Sequence, residues 1–204
     1  MRIRWKTAGP VPLICGMLCL FLSVERAHAQ EPRSVVHVAV HTGVGSFELA
    51  VDTVLAPITA SNFLRYVDAG GYADGYFHRT VRPDNQPNDA VKIDVIQASR
   101  ARGFDGFGRI PIERTSVTGL RHEDGAISMA RGGPDTAVSD FFICIGPQPE
   151  LDFGGARNPD GQGFAVFGRV VSGMEVVRQI HTAAAEGQRL TPRIPILSME
   201  RVGG

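Results

Sequence analysis

A closed antiparallel β-barrel, all-β dominated, with eight strands and two capping α-helices, is the fold class this sequence predicts. Three observations carry that expectation. About eight β-rich runs follow one another, separated by turn-rich linkers. Only two stretches have helical periodicity, so the strands do not alternate with long helices as they do in a doubly wound α/β sheet. Closure removes both sheet edges, and a helix at each end covers its own apolar face. Strand number by itself fits a two-sheet sandwich as well.

The elements follow in order. Residues 35–42 and 46–51 are two β-rich runs around the glycine turn at Gly43 to Gly45, which reads as a hairpin. In the second run Phe47, Leu49 and Val51 alternate with Ser46, Glu48 and Ala50, as in a half-buried strand. Pro57 can open a helix, because its missing N–H is not needed in the first turn, and Gly70-Gly71 can end it. Phe63, Tyr66 and Val67 then share one face and should lie against the sheet. Further strand-like runs occupy 76–81, 91–98, 125–130, 140–145, 164–171 and 194–202. A second helix is expected over 174–184, where Met174, Val177 and Ile180 recur three residues apart.

The first 29 residues read differently. Arg2, Arg4 and Lys6 precede an apolar run from Val11 to Val24, and Ala27-His28-Ala29 is a small-x-small cleavage pattern before Gln30. This is the order of a secretory signal peptide, and the run is short of the roughly 20 residues that span a bilayer. The expected organisation is a cleaved leader at 1–29 and one domain at 30–204, in the periplasm or secreted. The leader takes four of the 21 basic and one of the 21 acidic residues, so the remainder is net −3, with Lys92 its sole lysine. That leaves no basic stripe for nucleic acid. Of the three cysteines only Cys144 remains, so no internal disulfide can form and Cys144 reads as a small buried hydrophobe.

Several chemistries find no support. His37 and His41 stand four apart on a strand, a span of about 13 Å, too far for one metal ion. There is no H-E-x-x-H and no cysteine pair. The glycine-rich segment 153–163 lacks the order and the lysine of a phosphate-binding loop. His122-Glu123-Asp124 reads as a solvated turn, and neither Ser128 nor Ser139 has an evident His–Asp partner or a G-x-S-x-G elbow. What stands out is Phe77-His78-Arg79, where period-two alternation places an arginine on the same face as an aromatic ring.

Phe77-His78-Arg79 resembles the F-H-R signature of the cyclophilins. Gly125-Ala126-Ile127-Ser128-Met129-Ala130-Arg131 resembles the family's G-x-I-S-M-A-N/R segment, and Pro134 through Ser139-Asp140-Phe141-Phe142-Ile143 its P-N/D-S/T-x-x-S-Q-F-F-I segment. Leu151-Asp152, Val166-Phe167-Gly168-Arg169-Val170, Gly173-Met174-Glu175-Val176-Val177 and Ala56-Pro57 through Asn62-Phe63 match further blocks. The blocks keep the family order over 35–202. The chain is thereby identified as a member of the cyclophilin-type peptidyl-prolyl cis-trans isomerases, of a bacterial, exported kind. The resemblance implies the barrel with two capping helices and catalysis of X–Pro isomerisation in unfolded or flexible chains. It implies no cofactor and no metal. The partners it implies are proline-containing polypeptides of the exported set, without nucleic acid or stable membrane insertion, and the protein is expected to be a monomer.

By the same resemblance, Arg79 is the catalytic donor. Val95, Phe142 and Leu151 grip the proline ring, with Phe164 on the wall and Phe77 beside the arginine. Gln97 contacts the substrate backbone. Ala130 and Arg131 line the groove, Arg131 through its backbone more than its side chain. Departures accompany these matches. Arg79 and Gln97 stand 18 positions apart, wider than the family spacing, so 84–93 is an insertion beside the site. Asp94 and Val95 replace an aromatic residue and a methionine, Ala98 and Ser99 replace two glycines, and Glu150 stands where some members have tryptophan. Asp140 replaces the glutamine before F-F-I and is expected in the groove, where it could pair with Arg79. The competing reading is a peptide-binding chaperone or assembly factor with the same groove and little turnover.

Overall fold

The structure, a computed structural model, describes residues 35–203 together with Met1. Apart from Met1, the expected leader at 1–29 lies outside the described residues. The elements in chain order are β1 (Val35–Thr42), β2 (Gly45–Asp52), α1 (Pro57–Asp68), β3 (Tyr76–Val81), β4 (Val95–Ser99), α2 (Thr115–Thr118), β5 (Ala126–Met129), β6 (Phe141–Cys144), β7 (Ala165–Ser172), α3 (Met174–Thr182), β8 (Ala185–Glu186) and β9 (Arg189–Arg201).

Every strand pairing is antiparallel. The neighbours run β1-β2-β7-β5-β6-β4-β3-β9, and β9 pairs back onto β1, so eight strands close the barrel. The two-residue β8 is an arm paired to the start of β9. This is the predicted barrel, and closure decides against the sandwich. The predicted strand at 91–98 begins only at Val95; 91–93 belong to the insertion.

The hydrophobic pattern places the core where the alternation requires. Phe47, Leu49 and Val51 of β2 point inward with Val38 and Val40 of β1. Pro57 occupies the first turn of α1, whose Phe63, Tyr66 and Val67 are buried against the barrel. The Phe63 ring meets Phe141 edge-on at 5.4 Å and Phe167 at 5.1 Å, which anchors the helix to β6 and β7. Val177 and Ile180 of α3 join the same interior cluster.

β6 explains the site. Its four residues are all buried, yet they belong to two different clusters. Phe141 and Ile143 face the barrel interior. Phe142 and Cys144 face outward into a smaller cluster with Val81, Ile93, Val95, Leu151 and Val166. A strand covered on both faces reads as an unbroken apolar run, and that is how Phe-Phe-Ile-Cys reads. Burial pushes the Cys144 thiol well above its usual range, in keeping with a structural role.

Candidate active site

The outer face of β3, β4, β6 and β5 carries a cavity of about 260 Å³. Phe142 and Leu151 line its apolar floor and are 5% and 1% exposed. Phe164 stands edge-on to Phe142, with ring centroids 5.3 Å apart and planes at 88°. Val95 completes the apolar side, and Gln97 and Ala130 lie along the rim. At Gly163, just before Phe164, φ is +63° and a Cβ would come within 2.5 Å of the Asp152 backbone, so only glycine lets this loop close over the pocket.

Arg79 enters from β3. It sits opposite Gln97 in the β3–β4 register, and Gln97 sits opposite Phe142 in the β4–β6 register, so the three follow one another across the sheet. Arg79 Nε and Nη2 both donate to Gln188 Oε1, at 2.9 and 2.6 Å, and Nη1 donates to Gln97 Oε1 at 3.1 Å. Two amide oxygens therefore fix the plane of the guanidinium without a carboxylate to neutralise it. Burial lowers the Arg79 pKa, with Arg157 adding to the effect and Asp89 opposing it. An arginine keeps its charge through such a shift.

Three expectations for this site are corrected. Phe77 does not accompany Arg79; it is wholly buried in the barrel interior against Phe47 and Phe141. The β3 pairings slip in register between Phe77 and Arg79, and that irregularity turns the two side chains apart. Asp140 does not pair with Arg79 but accepts a hydrogen bond from Ser99 Oγ at 2.8 Å. It lines an adjoining cavity that shares Gln97, Ala130 and Arg131 with the first. The Arg131 side chain matters more than the sequence suggested. It pairs bidentately with Asp160 at 2.8 and 2.9 Å, donates to the Gly163 carbonyl at 2.7 Å and lies over the Phe164 ring. It thus clamps the 153–163 loop onto the pocket.

The insertion is an ordered wall. Gln86, 1% exposed, donates to the carbonyls of Arg82 and Ile93 and accepts from the Ile93 N–H. Lys92 caps the Gln86 carbonyl. Arg157, from the opposite loop, donates to Gln86 Oε1, the Val91 carbonyl and Asp89. Ile93, Arg157 and Asn158 all reach the cavity. Sequence reasoning missed these three and Gln188, because each acts across a loop–loop contact that no local pattern announces.

Beneath the pocket lies a buried relay where the sequence predicts a solvated turn. His122 is 1% exposed; its Nδ1 is 2.8 Å from Asp152 Oδ1 and its Nε2 is 3.0 Å from Ser128 Oγ. The order Ser–His–Asp is that of a hydrolase, but Ser128 is 0% exposed, out of reach of any substrate carbonyl. The His122 ring instead stacks on Phe142 at 5.9 Å and 8°, supporting the pocket floor from below. Burial lowers the His122 pKa and outweighs the opposing contribution of Asp152. The neutral ring then donates through Nδ1 and accepts the Ser128 hydroxyl through Nε2.

That depressed pKa has a signed consequence. Unfolded His122 titrates near ~6.5, so below that pH the unfolded chain binds a proton that the folded one does not. The stability present above ~6.5 is lost as pH falls toward the folded pKa. His78, also depressed by burial, acts in the same direction. Thermal unfolding is expected to shift downward between about pH 7.5 and 5.5, and His122→Gln should flatten part of that slope. Parallel slopes in the two proteins would show that His122 does not supply it.

These features define a closed β-barrel with a fixed arginine at the rim of a pocket with an apolar floor. The sequence profile described as cyclophilin type peptidyl-prolyl cis-trans isomerase/CLD matches residues 37–201. The chain is 34% identical over 165 residues to peptidyl-prolyl cis-trans isomerase A of Dickeya dadantii, covering 79% of this chain and 80% of that one. It is 30% identical over 164 residues to peptidyl-prolyl cis-trans isomerase cyp18 of Streptomyces antibioticus, covering 78% and 93%. The crystal structure of a cyclophilin type isomerase from Cryptosporidium parvum superimposes with a TM-score of 0.66 at 20% identity, over 83% of this chain and 99% of that one, a likeness of fold. The chain belongs to the cyclophilin family and is a peptidyl-prolyl cis-trans isomerase that acts on proline-containing substrates.

Proposed function

We propose that this cyclophilin isomerises X–Pro bonds of exported polypeptides, with Arg79 as the donor to the prolyl nitrogen. Resonance holds the C–N bond planar, and uncatalysed exchange takes tens to hundreds of seconds. No atom need be transferred. Binding the twisted amide better than either planar form is sufficient. On twisting, the prolyl nitrogen becomes pyramidal and can accept a hydrogen bond. The observation that carries the reading is the guanidinium held by Gln188 and Gln97 at the pocket rim. Its donors are aimed by two neutral acceptors before substrate arrives. Phe142, Leu151, Phe164 and Val95 hold the ring while the acyl side turns, and Gln97, Ala130 and Arg131 line the path of the extended chain. Prolyl exchange in a short peptide, with Arg79→Ala as the comparison, tests this assignment.

The leader pattern supports export and release from the membrane. The mature chain is expected to begin at or near Gln30, as read from the intact mass of the exported protein. It should also lack tryptophan emission, because Trp5 is the sole tryptophan. A membrane-held species that retains residues 1–29 would overturn the export reading.

A further inference from the structure

Arg79 belongs to a second cavity as well. Sharing Arg79 with the proline pocket is a cleft of about 360 Å³ lined by His78, Arg79, Gln188, Arg189 and Arg193. Three of the five are arginines, and none is a carboxylate. Arg79 and Arg189 are direct cross-strand partners in the β3–β9 register, a placement that like charges disfavour. Arg193 lies over the Tyr76 ring at 4.5 Å. Among the described residues, the guanidiniums of Arg189 and Arg193 make no hydrogen bond or ion pair. Glu186 sits opposite Arg189 in the β8–β9 hairpin without pairing to it. The other nearby acids are engaged elsewhere: Asp89 by Arg157 and Asp140 by Ser99. Burial lowers the His78 pKa; Asp140 opposes that shift, and Arg79 and Arg193 both add to it.

We propose that this cleft is a subsite for an anionic side chain on the peptide, one or two residues from the proline. The proposal rests on the reading of Arg79 as the prolyl donor, because Arg79 is the wall shared by the two cavities. An extended chain rises about 3.3 Å per residue, so a chain with its proline in the apolar pocket passes over Arg79 into the cleft. Arg189 and Arg193 present planar forks that match a carboxylate or a phosphate. An anion between Arg79 and Arg189 relieves their repulsion. The chemistry is shared by aspartate or glutamate and by a phosphorylated residue. It gives the enzyme a preference among the residues flanking proline that the apolar floor of Phe142 and Leu151 does not supply.

The test is exchange spectroscopy on short Ala–Pro peptides carrying Ala, Glu, Lys or phosphoserine at each of the two positions on either side. At one flank Glu should raise kcat/KM over Ala by about 2- to 10-fold at low salt, and Lys should lower it. The preference should fade at about 0.5 M salt, where screening is short-ranged. It should vanish in the Arg189→Gln/Arg193→Gln double variant, whose folding is checked by circular dichroism. Phosphoserine exceeding Glu assigns the subsite to phosphorylated chains; phosphoserine at or below Glu assigns it to acidic residues. Equal rates for Ala, Glu and Lys at every position overturn the subsite, as does a Glu preference that survives the double variant. The wild-type rate on the all-Ala peptide separates the two readings: no exchange there defeats the isomerase mechanism, whereas normal exchange with no charge preference defeats only the cleft.

Discussion

Arg79→Ala is expected to fold normally and lose most of its prolyl isomerisation, roughly 10- to 150-fold, from the 1.5–3 kcal/mol of a charge-assisted hydrogen bond. The planar amide nitrogen has its lone pair in resonance and accepts poorly, so the bond forms mainly in the transition state. Peptide affinity should therefore fall less than turnover, because Phe142, Leu151 and Val95 still hold the ring. The loss leaves only Gln97 and Gln188 without their partner, both part-exposed and able to bind water, so stability should change little. Arg79→Lys should recover little activity. A single ammonium on a flexible stem cannot satisfy two glutamine oxygens and still aim a donor into the pocket. Exchange spectroscopy paired with a binding measurement reads the split. Wild-type exchange by a folded Arg79→Ala protein would move the peptide-binding chaperone ahead.

Phe142→Ala should damage binding, turnover and stability together. The side chain is 5% exposed, stacks on His122 and meets Phe164 edge-on. Truncating a buried phenylalanine costs about 3–5 kcal/mol in lost transfer and cavity terms. The pocket also loses its floor, and the His122 relay loses the ring above it. Urea unfolding reads the stability cost, and KM against kcat reads the function. Since the alanine variant can fall below the folding threshold, Phe142→Leu is the companion. It keeps most of the volume but not the flat ring face, so it should fold and show a raised KM. An unchanged KM in folded Phe142→Leu would remove Phe142 from the proline pocket.

The contrast between these residues shows what was legible beforehand. Arg79, Phe142 and Leu151 were readable because each sits in a short block whose order the family shares; Gln97 matches alone, with Val95 before it standing where the family has a methionine. The barrel was readable because period-two alternation in β2 and turn-rich linkers are local properties. Phe77 was misplaced because alternation assumes an unbroken ladder, and β3 slips between Phe77 and Arg79. The local pattern misplaces His122 because a polar triplet before a strand is ordinarily solvated. Its burial depends on Asp152 and Ser128, which come 30 and six residues later.

By itself, then, the sequence determined the main strands and helices, the closed-barrel class, the family and the residues proposed to hold the proline. These follow from short-range periodicity and contiguous motifs, in which each residue's neighbours in the chain carry the information. Only the tertiary structure decided how Arg79 is aimed, by a glutamine 109 positions away in the β8–β9 turn. It alone joined the insertion to the 153–163 loop through Arg157 and turned the Arg131 side chain into a clamp. It alone left Arg189 and Arg193 without an ion pair among the described residues. The physical reason is common to all four. Charged and amide side chains take their orientation from whichever partners folding brings within about 3 Å, and those partners lie far away in the chain.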